Sequence, residues 1–485
     1  MSNTIRSRQM LAVAAVVGVL VAGCGTRVAD DRIISAEGGA AGVAVPAGAT
    51  STGETVVAAT TESGPAVAAL TPQGAAAQGT AATNSAPEAA ASAGGQSAAA
   101  KGSTPQVASG PNAPCTTKLA PIVIGQTLVS SGVVGAALGN LRLGLNIWAQ
   151  AVNARGGVQC HPVQVYSMDD GSDPARVQSN MNELVNNKGA VAILAAGDPI
   201  PDTALQSSAE RLKVPVIGGD LNSVTWTKSP YLFPQGGGAF ASYAGGIKEA
   251  GEAFKGRRAG LMYCVEANIC SAIAGNWDQI AQWGGLAQGA AKAVSITATD
   301  YTAECQVMKN DGVDTLLTAV DGSAVSRIVR SCAALGYRPA IVTPALAINP
   351  QVAADPNAQK NTLWLGTSVI PFNSTDTPAG KEFNQDAARY APGTALDQST
   401  VMGWVSGKLF AAAMGKVHTD TRTQTVTSAT VLKGLGLIKN ETLNGAAPPL
   451  TFTAGKPTPP TNCYYIVSVS EGGFRAPKGG RMSCF

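Results

Sequence analysis

The sequence predicts an α/β protein of two lobes, each built on a parallel sheet with helices on both faces. Three observations carry this. From about residue 120, short apolar runs rich in β-branched residues alternate with stretches of helical periodicity. The strand runs are apolar throughout, as strands covered on both faces are. The alternation passes through four strands, pauses, and restarts near residue 258. About 370 residues follow the N-terminal region, room for two domains of ordinary size.

The elements follow in order. "APIVIGQTLV" (120–129) reads as a strand ending near Ser130, Ser131 and Gly132. The next stretch places Leu141, Leu145, Trp148 and Val152 on one helical face, and Gly156-Gly157 stops it. "HPVQVYSMDD" is a second strand, and Asp173-Pro174 supplies an N-cap and a first-turn proline for a helix running to about residue 187. Strands at 190–198 and 214–220 flank a helix at 202–213. After the pause come a strand at 258–266, a helix over "SAIAGNWDQIAQWGGL", a strand over "KAVSITATDY" and a helix over "ECQVMKNDG". A strand at 313–321, the helix "SAVSRIVRSCAALGY" and a strand at 339–346 complete the repeat. "GWVSGKLFAAAMGKV" is strongly helical, residues 463–469 form a closing strand, and "EGGFRAPKGG" is a turn.

The N-terminus carries an address. Arg6 and Arg8 precede an apolar run over residues 10–22. That run is shorter than the roughly 20 residues a membrane span needs, and it has the layout of a secretory signal. Val21-Ala22-Gly23-Cys24 resembles the lipobox of bacterial lipoproteins, which implies cleavage after residue 23 and a lipid on Cys24. An ordinary signal peptide with an incidental cysteine is the competing reading. Residues 24–114 are Ala, Gly, Ser, Thr and Pro with no aromatic residue, a composition that buries too little apolar area to order the backbone. They read as a disordered tether of about 90 residues with a reach of about 50 Å.

Composition narrows the function. Lys plus Arg is 34 and Asp plus Glu is 31, a formal charge of +3, with no basic cluster to suit nucleic acid. Eight cysteines remain beside Cys24, an even number that suits disulfides in an exported chain. Nearest-neighbour pairing joins Cys115 to Cys160, Cys264 to Cys270, Cys305 to Cys332 and Cys463 to Cys484; the last-but-one pair also reads as buried core cysteines. No C-x-x-C pair occurs, and only His161 and His418 could add imidazole to a metal site. "DDGSD" (169–173) lacks the spacing of a calcium loop. There is no G-x-S-x-G elbow and no G-x-G-x-x-G after a strand, so neither an enzyme nor a cofactor is indicated.

The order of these segments resembles the type I periplasmic binding proteins, in particular the branched-chain amino acid and amide binders of ABC importers. The segments are a strand ending Ser-Gly, "NARGGV", a strand ending Asp-Asp, Asp-Pro into a helix, "LVNNKGAVAILAAGD", "VPVIGGD" and "SPYLFPQ". The resemblance spans about residues 120–485. It implies two Rossmann-like lobes joined by a three-strand hinge, with a small-molecule ligand held between them. Lobe 1 would take residues 115–240 and 370–450, and lobe 2 residues 241–369 and 451–485. The implied role is a lipid-anchored binding protein on the outer face of the bacterial membrane, partnered by ABC permease subunits. A ligand-sensing lipoprotein that signals to a membrane partner is the alternative, since one fold serves both.

Ligands of open parallel sheets sit beyond the carboxyl ends of the strands. That selects Ser130, Ser131, Gly197, Asp198, Gly219 and Asp220 in the first lobe, and Glu266, Asn268, Asp321 and Ala345 in the second. Trp226, in the loop "NSVTWTKSP", is the aromatic candidate, whereas Trp148, Trp277 and Trp283 lie at helical spacing and read as core. The resemblance implies that first-lobe hydroxyls and N–H groups hold a ligand carboxylate while a second-lobe acid, Asp321, meets an ammonium. Asp198 and Asp220 depart from that pattern, because carboxylates would repel a ligand carboxylate. They favour a polar ligand bearing hydrogen-bond donors, with helix capping as their competing role.

Overall fold

The computed structural model describes residues 114–485 apart from Thr116. The signal, the lipobox with Cys24 and the tether lie outside the described residues. Among the described residues no helix is long and apolar enough to cross a membrane.

The first lobe holds strands β1 (Ile122–Leu128), β2 (Val163–Asp169), β3 (Ala192–Ala196), β4 (Val216–Gly219) and the short β5 (Leu232–Phe233), all parallel, in the order β2-β1-β3-β4-β5. The chain moves one way from β1 to β2 and the other way through β3, β4 and β5. With right-handed crossovers this reversal puts helices on both faces. Helices Asn140–Ala154 and Gln398–Lys416 pack on each other and on this sheet. They cross at glycine: a Cβ on Gly144 would lie 1.8 Å from the Thr400 carbonyl oxygen, and one on Gly403 2.1 Å from that of Leu141. The predicted face of Leu141, Leu145 and Trp148 is fully buried there.

The second sheet holds β6 (Arg258–Cys264), β7 (Ala287–Val294), β8 (Thr315–Ala319), β9 (Ala340–Pro344) and β10 (Leu363–Thr367). Their order, β7-β6-β8-β9-β10, repeats that of the first lobe. Two antiparallel strands, β11 (Cys463–Ser470) and β12 (Gly473–Arg475), extend it, so this sheet is mixed where uniformly parallel sheets were expected. The strand expected over residues 292–301 is instead β7. "AQGAAKAV" has one β-branched residue and little apolar area, and it forms a strand because it is an exposed edge beside β6. The long helix Ala239–Phe254, absent from the sequence-based assignment, packs on β9, β10 and β11.

Three crossovers join the lobes side by side: residues 234–238, 368–377 and 453–462. Gly237 N–H donates to the Ser368 carbonyl at 2.8 Å, and Gly238 N–H to that of Thr461 at 3.2 Å. The glycine run is required by this approach, since a Cβ on Gly237 would stand 2.1 Å from the Cys463 oxygen. All four expected disulfides are present. Cys305 and Cys332, both fully buried, are bonded to each other.

Candidate functional site

The two sheets present their switch points to each other, the first between β1 and β3 and the second between β6 and β8. A cavity of about 100 Å³ lies between them. The first lobe contributes the helix Gly132–Leu138, which follows β1, together with Pro199, Ile200 and Asn222 after β3 and β4. The second contributes Cys264, Glu266, Ala267 and Ile269 at and after the end of β6, Val320 and Asp321 after β8, and Leu346 after β9. Most of the wall is apolar: Ile200, Ile269, Ile273, Ile296 and Leu346 dominate it. The polar side chains are Asn222, Tyr243, Glu266 and Asp321.

The lobes touch around the cavity. Asn268 Nδ2 donates to Asp202 Oδ1 at 3.1 Å, and Asn349 Nδ2 to the Ala136 carbonyl at 3.3 Å. The Cys264–Cys270 bond closes the loop that carries Glu266, Ala267, Asn268 and Ile269, so this wall is held by a covalent staple.

Each predicted residue has a definite place. Asp321 caps the helix Gly322–Ala334, its Oδ1 accepting from the N–H groups of Ser323 and Ala324 and from the Ser323 hydroxyl. Its Oδ2 is buried and takes no partner among the described residues, although Asp321 lines the cavity. Glu266 also lines it, with Oε1 accepting from the Ser295 hydroxyl and Ile296 N–H. Ser130 and Ser131 turn the other way: the Ser130 N–H and the Ser131 hydroxyl both donate to Asp169. Desolvation would raise the Asp169 carboxyl, but these bonds, with the Gly171 N–H, hold it down at about 2. Gly197 and Gly219 serve packing, against Leu141 and the Ala196 carbonyl. Trp226 is buried and lines a different cavity, beside the crossovers.

Behind the first-lobe wall three carboxyl groups share the strand ends. Burial pushes Asp170 up to about 7, reinforced by the charge of Asp198, and Asp198 is raised as well, chiefly by burial. Asp198 Oδ1 accepts from Ile200 N–H, which shapes the turn that delivers Ile200 to the cavity. Asp220 is pushed up to about 7 by burial, with Asp198 and Asp202 adding to it, while the Asn222 N–H bond opposes the rise. With Ala345, Thr367 and Tyr243 it lines a small adjoining cavity that shares Asn222 and Leu346 with the larger one. Asn222 and Tyr243 escaped the sequence reading. Asn222 stands two residues beyond Asp220 in a loop already marked, but Tyr243 arrives from the unassigned helix.

The comparisons with known proteins concern this whole region. A family model described as periplasmic binding protein matches residues 121–474. A search of curated proteins finds no match to the sequence. Several solved structures share the fold. A fatty acid ABC transporter substrate-binding protein from Thermomonospora curvata is 20% identical, with a TM-score of 0.62 over 77% of this chain and 96% of its own. The branched-chain amino acid transporter substrate-binding protein LivJ from Streptococcus pneumoniae, in complex with isoleucine, is 18% identical, with a TM-score of 0.59 over 73% and 98%. An ABC transporter solute-binding protein from R. palustris, in complex with benzoate, is 15% identical, with a TM-score of 0.58 over 74% and 95%.

Proposed function

The chain belongs to the periplasmic binding protein family, and on that premise we propose that it is the substrate-binding component of an ABC importer, capturing one small solute between its lobes. Lobe 1 comprises residues 115–240 and 370–450, lobe 2 residues 241–369 and 451–485. The protein is exported and tethered by lipid on Cys24 to the outer face of the membrane, where it meets the permease subunits.

The observation that carries the reading is the cavity itself, lined by strand ends of both sheets at their switch points. Its walls also speak to the ligand. An apolar lining rewards an apolar body, at about 25 cal/mol per Å² removed from water. Two second-lobe carboxylates, Asp321 and Glu266, face it, so a ligand carboxylate would be repelled and a donor welcomed. Asp321 Oδ2, buried and unpartnered, is the acceptor for that donor. The ligand is therefore a compact molecule with an apolar body, the size of a short alkyl chain or one ring, and a hydroxyl, amide or ammonium head. This moves the expectation from a small polar solute towards an amphipathic one. Solved structures of this fold in complex with isoleucine and with benzoate support a body of that size.

A thermal-shift panel tests the reading. Matched compounds with one apolar body and amide, hydroxyl, ammonium or carboxylate heads are compared with free amino acids and sugars. A ligand at about 100 times its dissociation constant adds about 2.7 kcal/mol. Shifts confined to the donor-headed compounds support the reading; shifts confined to the carboxylate-headed compounds or the sugars overturn it.

A further inference from the structure

A second cavity, larger and also mostly apolar, lies beside the crossovers and has a volume of about 230 Å³. Leu221, Val224 and Trp226 form its first-lobe wall, and Ile269 and Trp283 its second-lobe wall. Phe240, Leu450 and Phe452 close it along the crossovers. Its frame is stiff. Pro234, Pro449, Pro459 and Pro460 line it, and each proline fixes its own φ. Phe233 packs edge-on against Phe452 at 5.3 Å, and Trp283 stacks on Phe485 at 5.4 Å. Among the described side chains that line it, the one buried polar atom without a partner is Thr461 Oγ1.

We propose that this cavity is a second binding site, for one compact apolar molecule, aromatic or alicyclic, carrying at most one hydrogen-bonding group. Size supports it, because a cavity of about 150 Å³ lined by apolar side chains already binds benzene. Chemistry supports it too: the walls offer aromatic faces and aliphatic edges, and the unpaired Thr461 hydroxyl is there to meet a polar substituent. The occupant touches both lobes at once. It therefore favours the arrangement in which Trp226 and Ile269 stand on opposite walls over any in which the lobes part. Ile269 also lines the interlobe cavity, so one side chain faces both sites.

Bromobenzene is the probe, since its heavy atom quenches tryptophan only on contact. Of the six tryptophans, Trp226 and Trp283 line the second cavity and none lines the interlobe one. Titration of the full chain should give saturable quenching. The Trp226→Phe, Trp283→Phe double variant should lose most of it. Thr461→Phe, which fills the cavity from a half-buried wall position, should weaken the apparent affinity at least 10-fold. Saturation should also slow amide hydrogen exchange in residues 234–241 and 458–462 several-fold. Linear quenching that never saturates, or quenching kept in the double tryptophan variant, overturns the site. Saturable quenching with unchanged exchange overturns the bridging of the lobes. Because no tryptophan lines the interlobe cavity, failure here leaves the proposed importer function untouched, and the reverse holds.

Discussion

Replacing Asp220 by Asn should stabilise the ligand-free protein at neutral and alkaline pH while changing little in acid. Asp220 is 4% exposed, and burial raises its carboxyl from an ordinary 3.8 to about 7. A raised carboxyl means that the folded chain holds a proton that the unfolded chain releases. Below about pH 4 both states are protonated and nothing is lost. Between about pH 4 and 7 the unfolded state ionises first, so folding stability falls as pH rises. Above about pH 7 the full penalty stands, up to about 4 kcal/mol at about 1.4 kcal/mol per pH unit. Asn carries no charge to desolvate, and its carbonyl can still accept from the Asn222 N–H, which Asp220 Oδ1 does at 2.7 Å. For about 370 ordered residues, 4 kcal/mol corresponds to a melting shift of about 5 °C. Thermal melts of both proteins from pH 4 to pH 8.5 should therefore diverge as pH rises, with the variant melting higher. Some slope should persist in the variant, because Asp170 and Asp198 are raised too. A difference between the two proteins that is the same at pH 4 and pH 8.5 would refute the reasoning, as would a variant that gains most in acid.

Asp321→Asn should weaken the strongest donor-headed ligand by about 2 kcal/mol, the scale of a lost charge-assisted hydrogen bond, with the ligand-free melting temperature almost unmoved because Asn also caps helices. Unchanged affinity by calorimetry would reduce Asp321 to its capping role. Gly403→Val should cost several kcal/mol, since its Cβ would meet the Leu141 oxygen at 2.1 Å on the helix crossing of the first lobe; a variant melting like the parent would contradict that packing. Cys24→Ala should move the protein from the membrane fraction to the soluble or culture fraction, and a variant that still sediments with membranes would show that lipid on Cys24 is not the anchor.

The first lobe was legible because its central strands are short, mainly apolar runs closed by Gly, Asp or Ser, and its helices begin at caps such as Asp173-Pro174. The second lobe was less so. β7 is an alanine-rich edge strand whose identity comes from its neighbour β6. The helix Ala239–Phe254 hides because Gly245, Gly246 and Gly251 interrupt its apolar pattern; those glycines let it lie close against Tyr464, Val342 and Leu286. The site shows the same division. Strand-end logic led to Glu266 and Asp321, which do line the cavity, and to the loops of Asp198 and Asp220. It could not tell which way each side chain turns: Ser130 and Ser131 fold back on Asp169, and Trp226 faces the crossovers. The apolar wall was invisible because Ile200, Ile269, Ile296 and Leu346 come from four segments far apart in the sequence. The disulfides were readable from parity, compartment and order along the chain.

Photoaffinity labelling tests the central claim most directly. The strongest binder of the panel, carrying a diazirine on its apolar body, is bound to the full chain, irradiated and mapped by peptide mass spectrometry. A ligand held between the lobes should label both sides of the cavity: peptides with Val134 to Leu138 or Pro199-Ile200 from the first lobe, and peptides with Ile269 to Ile273 or Leu346-Ala347 from the second. Excess unmodified ligand should abolish both. Labelling confined to one lobe, or to peptides remote from these strand ends, would contradict capture between the lobes.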